Sequence, residues 1–149
     1  MNKHFLLSIL TLSLFSCKKD EVESPATVAA EFNQDFLLSY RQQATLPQLA
    51  QPELTLALTD LQFSICPRNA NCFAADYARP TLRITDAQGA TQQLVMPTIL
   101  GSRGSDWIDT ASVRANGRRY LLTYVKWQVQ GDYHAATKEN IKCTFRVAK

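Results

Sequence analysis

The side chains best suited to chemistry in this chain of 149 residues are few. They are the cysteines Cys17, Cys66, Cys72 and Cys143, the histidine His134, and two aspartates, Asp106 and Asp109, that flank Trp107. A hydrolase triad or an acid–base pair needs a base beside a nucleophile. His134 instead ends Gly131-Asp132-Tyr133-His134, which reads as a turn with no nucleophile motif around it, and a lone histidine in a polar loop is read as a solvated side chain. Cys-x5-Cys is not the usual redox spacing, and a metal would need two further ligands, so neither a metal nor a cofactor is expected. Asp106 and Asp109 could act as acid and base, or line a sugar site with the indole as its platform. The plainer reading has Trp107 closing one end of the fold and the aspartates beginning a turn, with Trp127 in the core.

Charge and composition narrow the classes further. A net charge of +3 is small for a nucleic-acid reader, and the lysines and arginines are scattered apart from Lys18-Lys19 and Arg118-Arg119. No basic stripe interleaved with aromatics appears, so no nucleic-acid partner is expected. Hydrophobic residues at 46% and charged residues at 19% are ordinary for one globular domain.

The first residues read as an export signal. Lys3 supplies a positive start, and the apolar run 5–15 is too short to cross a hydrocarbon core of about 30 Å as a helix. The run ends in Leu14-Phe15-Ser16-Cys17, which looks like a bacterial lipobox with Cys17 as the acylated N-terminus; Phe15 is bulkier than the residue usual there. Acyl chains contribute about 0.8 kcal/mol per buried methylene, so the domain would be tethered to a membrane rather than embedded in it. The expected organisation is a signal peptide over 1–16, a lipidated N-terminus and flexible linker over 17–30, and a folded domain over 31–149. The charged start of that linker, Lys18-Lys19-Asp20-Glu21, is similar to tags that route some Gram-negative lipoproteins to the cell surface.

Most of the remainder alternates with a period of two, the mark of half-buried strands. Leu54, Leu56 and Leu58 share one phase, and Leu61, Phe63 and Ile65 share the other. A one-residue slip would turn every later side chain to the wrong face, so a bulge is predicted around Thr59 and Asp60. Strands are also expected over 35–41, 81–85, 93–96, 109–113, 118–130 and 141–147, with turns at Asp86 to Gly89 and at Asn116-Gly117. In 118–130 the spacing assigns Leu121, Val125, Trp127 and Val129 to one face and Tyr120, Tyr124, Lys126 and Gln128 to the other. In 141–147, Ile141, Cys143, Phe145 and Val147 face the core, so Cys143 is a small buried hydrophobe. Residues 42–46 favour neither helix nor strand. The expected fold is all-β: a single antiparallel β-sandwich, or barrel-like domain, of about seven strands.

The run Leu61-Gln62-Phe63-Ser64-Ile65-Cys66-Pro67, then four residues, Cys72, Phe73-Ala74-Ala75 and Leu82-Arg83-Ile84 resembles a group of small uncharacterised bacterial lipoproteins of the Gram-negative envelope with a Cys-Pro-x4-Cys loop. Phe63-Ser64-Ile65 replaces the Asp-Ser-Arg usual in that group. The resemblance implies an architecture and an address, and carries no reaction. After export the chain would meet an oxidising compartment, where Cys66 and Cys72 close into one tight ring; loop-closure entropy assigns so small a ring about 2 kcal/mol.

The reading reached is a non-enzymatic, lipid-anchored domain of the cell envelope, placed at the outer membrane, that works by binding. Its partners would be the membrane, through the acyl chains, and an unidentified envelope protein or glycan. The candidate binding loop is 101–107, with Arg103, Asp106 and Trp107. An inhibitor or carbohydrate-binding module, and a carboxylate-based hydrolase, are the competing readings.

Overall fold

The computed structural model describes residues 26–97 and 107–149. Among these residues nine strands form two sheets. In chain order they are β1 (Thr27–Ala29), β2 (Asp35–Ser39), β3 (Gln43–Leu46), β4 (Leu54–Ser64), β5 (Tyr77–Asp86), β6 (Thr91–Val95), β7 (Asp109–Ala115), β8 (Arg118–Val129) and β9 (Ile141–Ala148). One sheet has the order β1-β3-β4-β5-β6 and the other β2-β9-β8-β7. Every pairing is antiparallel except that of β1 with β3. The result is the expected all-β sandwich, with two strands more than the periodicity showed.

Both additions lie where alternation is weakest. β3 buries Ala44 and Leu46 completely and Thr45 nearly so, because β1 lies along its free edge and adds a three-residue parallel ladder. The linker expected through residue 30 therefore ends earlier: Thr27 is already in register with Gln43, and Ala30 belongs to the core.

The predicted bulge in β4 is present. The ladder between β4 and β5 shifts between Leu58 and Asp60, and Thr59 Oγ1 donates to the Thr81 carbonyl at 3.1 Å. Leu54, Leu56, Leu58 and Leu61 consequently all reach the core despite their change of phase.

A second bulge, between Tyr124 and Lys126, overturns half of the face assignment for β8. Tyr120, Leu122 and Tyr124 point inward and are buried, whereas Leu121, expected inside, is 47% exposed. Beyond the bulge the assignment holds: Trp127 and Val129 pack against the core while Lys126 and Gln128 face out. The tyrosines can enter because their hydroxyls find partners. Tyr124 donates to the Ala78 carbonyl at 3.0 Å, and Tyr120 donates to the Glu53 carboxylate.

At one end of the sandwich Asn116 and Gly117 both have positive φ, 50° and 70°, as a two-residue hairpin with this twist requires. At the other end lie the loop that leaves β4, the start of β7, and the connection from β8 to β9.

Candidate functional site

The loop that leaves β4 is closed by the Cys66–Cys72 disulfide, with Cα atoms 5.9 Å apart. Its base is clamped by Asp76, whose carboxylate accepts from the Cys66 amide at 2.8 Å and from the Tyr133 hydroxyl at 2.7 Å. Tyr133 lies in the connection between β8 and β9, in a one-turn 3-10 helix, Tyr133–Ala135, capped by Asp132. The turn expected at this position is thus a short helix that reaches across the end of the sandwich.

Two further contacts join the same two segments, and a third packs the connection onto β8. The His134 Nδ1 lies 3.0 Å from the Cys66 carbonyl. A carbonyl can only accept, so Nδ1 carries the proton. Tyr133 stacks on Trp127 with ring centroids 6.1 Å apart. Arg68 meets Asp132 at 3.4 Å, but both side chains are well exposed, and such a pair contributes little.

The charges of the clamp follow its hydrogen bonds. Donation from Tyr133, and then from the Cys66 amide, holds Asp76 below the ordinary carboxylate range. Burial, and then the Asp76 carboxylate, pushes the Tyr133 phenol up to about 12.

What the clamp presents is aromatic. Phe73, next to Cys72, is completely exposed, and Tyr77, Tyr133 and Trp107 are each roughly two-fifths exposed. The expectation that Trp107 closes the fold is corrected by its position. β7 begins at Asp109, and the Ile108 amide donates to the Tyr124 carbonyl at 2.8 Å, so Trp107 precedes the ladder and 43% of it is exposed. Of the candidate loop, Arg103 and Asp106 lie outside the described residues, as does Cys17. Trp107 leaves the fold at the same end as the ring, since β7 starts where β4 finishes. Trp127, expected in the core, sits at its margin beneath Tyr133.

Cys143 is free and fully buried, as its alternation implied. Burial pushes its thiol up to about 12, and the Tyr124 hydroxyl lies 3.7 Å from its sulfur. Among the described residues no group of His, Cys, Asp and Glu is placed to hold a metal.

Sequence reading missed Asp76 and Tyr133, and no local signal could have joined two residues 57 positions apart. The available hint was Asp132 placed two residues before His134, where it accepts the His134 amide at 3.1 Å and caps a turn. No protein-family model matches the chain, and neither the curated proteins nor the solved structures include a significant match.

Proposed function

We propose that this is a lipid-anchored lipoprotein of the cell envelope whose folded domain works by binding, without catalysis, through the end that carries the disulfide ring. The observation that carries the reading is Phe73: a fully exposed aromatic beside Cys72, on a loop braced by a disulfide and clamped by Asp76. Exposing a large apolar side chain in water gains nothing for the fold, and a braced loop loses little freedom when it binds. The carboxylates described at this end support the same reading. Asp76 is occupied by Tyr133 and Cys66, and Asp132 by Arg68 and the cap it makes, which suits a scaffold better than an acid–base pair.

The ring-end partner is an envelope protein or a glycan. Tyr77 and Trp107, both partly exposed at this end, favour a glycan as the second reading, because sugars stack on such rings.

Capture from envelope extracts by the immobilised domain, set beside capture by Phe73→Ala, tests the proposal. Partners lost in the variant at unchanged thermal stability support it; an identical set of captured molecules would remove Phe73 from the site. The tether is tested separately. Cys17→Ser should abolish palmitate labelling and release the protein from the membrane fraction, and normal labelling would refute lipidation at that residue.

A further inference from the structure

The outward positions of the four-stranded sheet carry a charge pattern that the ring end does not use. Arg114 of β7, Arg119 and Lys126 of β8, and Lys142 and Arg146 of β9 all fall on this face, against one carboxylate, Asp35 of β2. Five cations against one carboxylate leave four positive charges on a single face, more than the +3 of the whole chain. The outward positions of the other sheet are dominated by Thr55, Gln62, Thr81 and Thr85, with Arg79 and Arg83 as the cations.

Two of the five are already engaged: Arg146 pairs with Asp35 at 2.6 Å, and Lys142 donates to Ser39. Arg114, Arg119 and Lys126 have no acidic partner among the described residues. Arg114 and Arg119 are moreover directly opposite each other across the ladder, a like-charge placement that works against the sheet and that an anion bridging them would relieve.

Apolar side chains stand among these cations. Leu37 and Leu121 are 48% and 47% exposed on the same face, Leu37 opposite Thr144 and Leu121 opposite Ser112 and Ala148. With strands about 4.8 Å apart and outward residues about 7 Å apart along each strand, cations and leucines share a patch roughly 15 by 25 Å.

We infer that this face docks on the surface of a bilayer containing anionic phospholipids, with the arginines and lysines at the phosphates and the two leucines entering the interface. The leucines decide between a bilayer and a soluble polyanion: a polyanion in water gains nothing from them, whereas the edge of the acyl region takes up apolar side chains. The strand positions that make up this face carry no exposed aromatic on which nucleic-acid bases could stack. The inference concerns the folded domain and does not depend on acylation at Cys17.

Among the described residues every core residue lies between Ala30 and Val147, so a chain of residues 26–149 carries that core and can be tested beside the full chain. The experiment is cosedimentation with phosphatidylcholine vesicles, with and without phosphatidylglycerol. Binding should require phosphatidylglycerol and disappear at about 1 M salt, where screening acts within about 3 Å. Arg114→Gln with Arg119→Gln and Lys126→Gln should weaken it about a hundredfold, at about fivefold per cation, and Leu37→Ser with Leu121→Ser should weaken it further. Arg83→Gln, on the outward face of the other sheet, should leave it unchanged. Equal binding to neutral vesicles, no binding at low salt, or a comparable loss in the Arg83 control would each overturn the inference. Retention on a soluble polyanion that is insensitive to the leucine substitutions would overturn it in favour of that other ligand.

Discussion

The Tyr133 hydroxyl donates to Asp76 across 2.7 Å, and through that single carboxylate the connection between β8 and β9 holds the base of the disulfide ring. Two loops from different sheets are thereby made one surface. The ring does not need its own core to hold its shape, because Asp76 and the Trp127–Tyr133 stack supply the support.

The clamp has a calculable response to pH. Asp76 has a lowered pKa in the fold, so its contribution is present above the ordinary carboxylate value of about 4 and is lost as pH falls through the folded value, which lies lower. Tyr133 has a raised pKa, so its contribution is complete below about 10 and is lost as pH rises through about 12. Carboxyl NMR titration of Tyr133→Phe should show the Asp76 pKa moving up toward its ordinary value. An unchanged titration would mean that the hydrogen bond does not hold the carboxylate.

Removing the ring should cost stability without removing the fold. Cys66→Ser with Cys72→Ser is expected to lower the unfolding free energy by about 2 kcal/mol, read by denaturant titration. An unreduced digest should join Cys66 to Cys72 and leave Cys143 unlinked; a peptide joining Cys143 to either of them would refute the pairing.

Tyr124 tests the polar contact in the core. Its hydroxyl is fully enclosed and donates to Ala78, so Tyr124→Phe leaves a buried carbonyl unpaired and should cost about 1 to 3 kcal/mol. In the native wild type Cys143 should resist thiol reagents, both enclosed and with its thiol pushed up to about 12. Labelling as fast as in denaturant would contradict its burial.

Trp107→Ala should change stability by less than about 0.5 kcal/mol, the usual range for an exposed position. A loss of 3 to 5 kcal/mol, about the cost of emptying a core site, would show instead that the indole is part of the packing.

What could be read from the chain was the part governed by neighbouring residues. Phe36 and Leu38, the phase change at Thr59, and Ile141 through Val147 all announce their strands, because one buried face imposes a period of two. β8 was misread over its first half for a physical reason. Tyr120 and Tyr124 carry polar tips that suggest the surface, and nothing nearby reveals that Glu53 and Ala78 wait inside to accept their hydrogens. β1 is a strand because it borders β3, and β3 because it lies between β1 and β4, information that neither segment carries alone. The clamp is of the same kind: Cys66 and Asp76 meet Tyr133 and His134 only when the two sheets are stacked.

The pairing of β2 with β9 sets the order in which the domain can be completed. Asp35 is in register with Arg146 and Ser39 with Lys142, so the earliest strand of the four-stranded sheet waits for the last one. A chain delivered from its N-terminus can assemble β3 to β6 as a meander while β2 has no ladder, and closing so long a loop is slow. Deleting 141–149 would remove the neighbour of β2 and of β8 together. Without β9 only the β7–β8 hairpin of that sheet would keep its ladder, so a chain lacking β9 should leave β2 unpaired and be open to proteases.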